Sequence, residues 1–308
     1  MTAIIEAMSG MARRLLPALA FVVFGLAVSA QAQPKIKAVA TISILGDMVR
    51  NVGGDRVEVT TLVGPNGDAH VYSPAPTDAR SAADARVIFI NGLGLEGWIT
   101  RLIEASGTKA LIVTVSRGIT PRRAEDRRDP TRPMVDPHAW QSIANAEIYV
   151  ENIRDGLIEV DPADKATYEA NARSYLEKLA GLETQVEAAI AKIPADRRTV
   201  IINHNAFGYF GDAYGLTFVS PEGVSTDAEP SANRVAKIIA LIKTQKIAAV
   251  FLENISDLRL MAEIARETGA AVGGKVYSDA LSEPGGPAAT YIDLMRHNAE
   301  EFGKALGG

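Results

Sequence analysis

Residues 161–193 carry the longest uninterrupted helical pattern in the chain, and they restrict what the rest of it can become. Asp161 is placed as an N-cap with Pro162 at the first helical position, and Pro194 stops the run. Between them Tyr168, Tyr175, Leu179, Leu182, Val186, Ile190 and Ile193 recur in steps of three, four or seven, so one apolar stripe faces a core. About thirty residues at 1.5 Å each give a helix of roughly 45 Å, more than one small lobe requires. Such a helix is expected to join two lobes. It also resists the hinge bending that a Gly/Ser linker would permit.

On both sides of this helix, strands and helices alternate, which favours parallel sheets. Before it, strands are predicted at 35–43, 57–63, 87–91 and 111–115, with helices at 44–52, 77–85 and 95–105, and another starting near Ser142. After it, strands are predicted at 199–203, 216–220, 248–253 and 274–278. The helices there fall at 231–244, 258–268 and 288–306. The expected fold is therefore α/β: two lobes, each a parallel β-sheet flanked by helices, joined by one long rigid α-helix. The expected divisions are 33–160, 161–194 and 195–308.

Residues 1–32 read as a cleavable secretory signal. Arg13 and Arg14 precede an apolar stretch at 15–30, and Ser29, Ala30 and Ala32 supply small residues for cleavage. Export to the periplasm is expected. The sequence has no cysteine, hence neither a disulfide nor the thiol that N-terminal lipidation requires. A formal net charge of −5 argues against a nucleic-acid partner. The six arginines of residues 117–133 are interleaved with Glu125, Asp126 and Asp129, and read as a solvated loop.

The chain contains four histidines, and three of them fall where a ligand would bind. Ligands of open parallel sheets sit beyond the carboxyl ends of the strands. His204 follows the strand at 199–203, His70 lies in the loop after 57–63, and His138 precedes the helix near Ser142. Asp279 ends the strand at 274–278. Two lobes facing each other bring all four residues together as three imidazoles and one carboxylate. That donor set suits Zn²⁺; Mn²⁺ tolerates it but prefers more oxygen. His297, on the last helix, is expected at the helix surface with no ligand role. Asp68 and Glu253 are placed to orient a ligand imidazole as hydrogen-bond acceptors. Trp140, Phe207, Tyr209 and Phe210 are expected to wall the cleft. The competing reading is a zinc metallohydrolase, for which the sequence supplies neither HExxH nor an evident general base.

The segments GDAHVYSP, DPHAW, NHNAFGYFGDAYGL, STDAEPSANRVAKI and YSDALSEPGGPAATYIDLMRHN, in this order, resemble the solute-binding proteins of zinc and manganese ABC importers (cluster A-I type). The similarity covers residues 35–306. It implies two α/β lobes on one long helix and metal ligands at His70, His138, His204 and Asp279. It also implies a non-enzymatic role: capture of Zn²⁺ in the cleft and delivery to an ABC permease in the inner membrane. The protein is expected to be a monomer, with a periplasmic metallochaperone as a further partner. Manganese binders of this family resemble one another in carrying glutamate at the third ligand, so His204 leans toward zinc, with Mn²⁺ the alternative. A metal-dependent adhesin is also compatible with the resemblance. Many zinc-specific members carry a histidine-rich loop before the second ligand; residues 117–133 contain no histidine.

Overall fold

A computed structural model describes residues 34–124 and 134–307. Residues 1–32, expected to be a signal, and residues 125–133 of the arginine-rich stretch lie outside the described residues. The chain from Lys35 onward forms one compact unit. It begins with β1 (Ile36–Ile42), α1 (Ser43–Gly53), β2 (Val57–Val63), α2 (Pro76–Asp84), β3 (Val87–Ile90), α3 (Ile99–Ser106) and β4 (Leu111–Thr114). A two-stranded antiparallel pair, β5 (Arg123–Ala124) with β6 (Met134–Val135), comes next, and then α4 (Ile143–Val160) and α5 (Lys165–Ile190). The second half runs β7 (Thr199–Ile201), α6 (Gly208–Tyr214), β8 (Thr217–Val219), α7 (Ala232–Gln245), β9 (Ala249–Glu253), α8 (Leu258–Thr268), β10 (Ala271–Val276) and α9 (Tyr291–Gly307).

The strands make two four-stranded sheets in the orders β2-β1-β3-β4 and β10-β9-β7-β8, with every pairing in them parallel. Taken from its β8 edge, the second sheet repeats the order of the first: second strand, first, third, fourth. Each sheet therefore reverses direction between its first and third strands, and the carboxyl ends there open a crevice. The period of two explains the burial of β7 and the residue after it. Val200 and Ile202 join the large core shared with α4, α5 and α9, whereas Ile201 faces the opposite way, onto α7 and α8.

Helix α5 buries Tyr168, Ala172, Tyr175, Leu179, Leu182, Val186 and Ile190 against α1, α4 and α9, so it backs both lobes. It starts later than the sequence suggests. Asp161 and Pro162 open a 3₁₀ turn over Pro162–Asp164, because the Asp161 carboxylate is engaged elsewhere, accepting from the Tyr168 hydroxyl at 2.7 Å and facing Arg56 at 3.8 Å. The 26-residue α helix that follows spans about 39 Å.

Two other boundaries move for local reasons. α3 begins at Ile99 because Gly92, Leu93 and Gly94 all have positive φ, and the Glu96 carboxylate collects the amides of Asn91 and Gly92. α9 begins at Tyr291 because Thr290 and Asp293 form a reciprocal cap: the Thr290 hydroxyl accepts from the Asp293 amide at 3.1 Å and donates to its carboxylate at 2.7 Å. None of the described helices is long and apolar enough to cross a membrane.

Candidate metal centre

His204 comes just after β7, and Glu253 is the last residue of β9, so the two flank the crevice of the second sheet. Asp279 lies past the end of β10. From the first half come His70, in the loop between β2 and α2, and His138, which opens a 3₁₀ turn ahead of α4. The four side chains converge, with their donor atoms all within 4.8 Å of one another. The Nε2 of His138 is 3.2 Å from that of His70 and 3.4 Å from that of His204. Asp279 Oδ2 lies 3.1 Å from His70 Nε2 and 3.3 Å from His204 Nε2, and Oδ1 lies 3.5 Å from His138 Nε2. Neither Asp279 oxygen has a hydrogen-bond donor among the described residues, although both are buried. A buried carboxylate without donors, ringed by three imidazole nitrogens, is arranged around a cation.

Carboxylates also hold two of the histidine rings from behind. Glu253 accepts from the backbone N–H of His204 through Oε1 at 2.8 Å and contacts its ring Nδ1 through Oε2 at 2.5 Å. Asp136 does the same for His138 with one oxygen, at 3.1 Å to the backbone nitrogen and 2.8 Å to Nδ1. These contacts assign a proton to Nδ1 and turn Nε2 toward the cluster. Asp68 behaves differently from the expectation. Its Oδ1 accepts from the backbone N–H of His70 at 2.9 Å, and its Oδ2 from the Thr226 hydroxyl at 2.5 Å, so it fixes the ligand's backbone instead of its ring. Asp136 was not anticipated, although the sequence carried a signal: Asp-Ala-His at 68–70 and Asp-Pro-His at 136–138 share one spacing.

Of the aromatic residues expected around the cleft, Trp140 stands beside the site, its ring 5.3 Å from that of His138 and its Nε1 donating to Ser278 O at 3.0 Å. Tyr209 bridges the halves, donating to Asp136 O and accepting from the Arg122 amide. Phe207 and Phe210 instead pack with Phe218 and Phe302 in the core, because α6 turns their faces away from the cleft. His297 lies outside the cluster; it contacts Lys275 O at 2.8 Å and the Tyr277 ring.

Burial alone would push the imidazole of His138 down, but Asp279 and Asp136 outweigh it and raise its pKa to about 9. His204 is opposed by burial in the same way and held well above the ordinary imidazole value by Glu253 and Asp279. Asp279, which burial would raise, is held well below the usual carboxylate range by the two histidines. Without an ion, protons on the imidazoles supply the positive charge this pocket demands. Four protein donors around one ion close a tetrahedral shell, which holds an ion and leaves no position for an activated water.

Two parallel sheets with a buried three-histidine, one-aspartate cluster between their carboxyl edges point to a metal-binding protein of the two-lobed α/β kind. The chain belongs to the family described as zinc-uptake complex component A, periplasmic (ZnuA), which it matches over residues 38–305. It is 36% identical over 271 residues, 88% of each chain, to the manganese-binding lipoprotein MntA of Halalkalibacterium halodurans. It is 35% identical over 274 residues, 89% of this chain and 87% of the other, to the iron-binding protein YfeA of Yersinia pestis. Its structure resembles that of the periplasmic zinc binding protein TroA of Treponema pallidum with a TM-score of 0.82 at 28% identity, covering 89% of this chain and 99% of that one. The family comprises substrate-binding components of metal ABC transporters, which are transport proteins and not enzymes; its members work with a permease and an ATPase.

Proposed function

We propose that this protein captures Zn²⁺ between its lobes in the periplasm, through His70, His138, His204 and Asp279, and hands it to an ABC permease in the inner membrane. One observation carries the reading: one donor atom from each of the four side chains lies within 4.8 Å of the others, with five imidazole and carboxylate contacts at 3.1–3.5 Å, three of them to one or the other oxygen of Asp279. A tetrahedron of ligands about 2.0–2.1 Å from a central Zn²⁺ has edges of about 3.3 Å. Three imidazoles also favour a borderline ion over a hard one. In this reading residues 33–160 and 195–308 are the two capturing lobes, 161–194 is the joint, and residues 1–32 are a signal that is removed. The protein acts as a monomer, and a periplasmic metallochaperone is a further partner.

Mn²⁺ is the second reading. It is favoured by the two free oxygens of Asp279, which would raise the protein donors to five if both bound. Affinity measured in vitro does not separate the two, because nearly any nitrogen-rich site prefers zinc to manganese. The deciding experiment is elemental analysis of protein purified from its own periplasm at ordinary metal supply. One zinc per chain is expected; stoichiometric manganese or iron in its place refutes the zinc assignment.

A further inference from the structure

His70 is the least enclosed of the four ligands: it keeps some exposure while the other three are buried, and Val71 immediately after it is 56% exposed. It is also the least supported. The rings of His138 and His204 each have a carboxylate on Nδ1, whereas no carboxylate among the described residues contacts the Nδ1 of His70. Asp279 is steadied through the carbonyl before it, Ser278 O, which accepts from both Trp140 and Gln141. His70 depends on its backbone, through Trp98 donating to Ala69 O at 2.9 Å and through Asp68 on its own N–H.

Asp68 is in turn held from the other lobe. Its Oδ2 accepts from the hydroxyl of Thr226, in the irregular segment between β8 and α7. That segment is fastened beside His204: Asn205 N–H donates to Gly223 O at 2.8 Å, and Glu222 N–H to Asn203 O at 3.2 Å. A continuous path therefore links the neighbours of His204 through Thr226 and Asp68 to the backbone of His70, and an ion would close it into a ring. Asn66 ties the base of the His70 loop to Leu281 O, which leaves Thr226 as the cross-lobe contact nearest the ligand.

We propose that Thr226 is a positioning residue of the metal site, which acts through Asp68 to hold His70 from the opposite lobe and so sets how slowly a bound ion leaves. Loss of an ion from a chelate begins with one ligand swinging away. The ligand nearest solvent, with no partner behind its ring, departs first, and the Asp68–Thr226 bond resists that swing. This rests on the assignment of the four residues as the metal site, and it applies to whichever divalent ion is bound.

The test compares wild type, Thr226→Val, which removes the hydroxyl at similar volume, and Thr226→Ser, which keeps it. Each protein is loaded with Zn²⁺ and, separately, with Mn²⁺, and transfer of the ion to excess chelator is followed by stopped flow; the melting of the metal-free proteins is recorded alongside. Thr226→Val is expected to release either ion about tenfold faster, the scale of losing one hydrogen bond to a charged group. Thr226→Ser is expected to stay within about twofold of wild type, with metal-free melting unchanged in both. A binding-competent Thr226→Val that releases at the wild-type rate overturns the proposal. So does equal acceleration in the two variants, or acceleration matched by lower metal-free stability. A wild type that retains neither ion overturns the site assignment itself, a failure distinguishable from these.

Discussion

Metal binding should expel about two protons per ion near neutral pH, and should still expel nearly one from His138 alone at pH 8. His138 has its pKa raised to about 9 and His204 is held well above the ordinary value, so both carry an extra proton in the metal-free protein at neutral pH. Coordination requires neutral imidazoles, so both protons must leave. At pH 8 a group titrating near 9 is about 0.9 protonated, so His138 alone releases nearly one proton, and His204, raised in the same direction, adds to it. Three unperturbed imidazoles would together release only about 0.1 proton at that pH. The assay is calorimetric titration with Zn²⁺ at pH 8 in buffers of differing protonation enthalpy, whose slope counts the protons. Apparent affinity should rise about a hundredfold per pH unit near pH 7 and flatten only above about 9. The sequence alone would place the loss of affinity below about pH 6.5, the ordinary histidine value; the carboxylates around His138 and His204 move it upward. Release of less than half a proton at pH 8 would refute the argument. The same shifts fix the sign for the metal-free fold. Groups whose pKa is raised on folding stabilise fully below their unfolded value near 6.5, and that contribution is lost as pH rises toward 9. Metal-free melting temperature should therefore fall across that window.

Replacing Glu253 by Gln or Asp136 by Asn should weaken Zn²⁺ binding about 10–100-fold, because each trades the charged carboxylate behind a histidine ring for a neutral amide with a single acceptor oxygen; competition against a chelating dye reads this directly. His204→Ala should remove far more affinity than either while the far-UV circular dichroism stays that of the wild type; wild-type affinity in that variant would sink the site. Leu179→Ala, in the buried stripe of α5, should cost about 2–5 kcal/mol in urea unfolding, and a loss below about 1 kcal/mol would mean that α5 does not back both lobes. Asp47 on α1 accepts from the Tyr291 N–H, the first of α9, at 2.9 Å, so Asp47→Ala should cost about 1–3 kcal/mol in the same measurement by leaving that buried donor unpaired.

Most of the architecture was legible because each element is written in one strong local code. Val200, Ile201 and Ile202 are β-branched and buried on both faces, which only a central parallel strand explains. The stripe of α5 repeats faithfully because a helix packed on three neighbours must keep one face apolar. The clustering of His70, His138, His204 and Asp279 was legible because histidine is scarce here and three of the four fall in loops beyond the strands. What escaped depends on contacts far apart in sequence. The Asp161 carboxylate left its cap for Tyr168 and Arg56, a residue more than a hundred positions earlier. Asp136 and Asp68 occupy equivalent places in sequence, yet only Asp136 reaches the ring of its histidine. Asp68 has its second oxygen turned to Thr226, across the lobe boundary, and no local pattern encodes that. Phe207 and Phe210 sit beside the ligand in sequence but point the other way, because α6 begins between them and turns them into the core.

The charge of the site accounts for why so stiff a frame can still bind and release. Exchanging two imidazole protons for one divalent ion leaves the net charge of the pocket unchanged, so the carboxylates of Asp279, Asp136 and Glu253 face the same two positive charges in both states. Neither state then forces the lobes apart by repulsion, and the contacts that span them persist: Tyr209 on Asp136 O, Trp140 on Ser278 O, and the Tyr291 hydroxyl on Trp140 O at 2.6 Å. A wide clamshell opening would break all of these and bend the packing of α5 on α1, α4 and α9. Exchange through the His70 loop leaves them intact. Small-angle scattering of metal-free and zinc-loaded protein should therefore give the same radius of gyration within error; a clear compaction on loading would mean that the lobes themselves swing, and that constant charge and the α5 frame do not hold them.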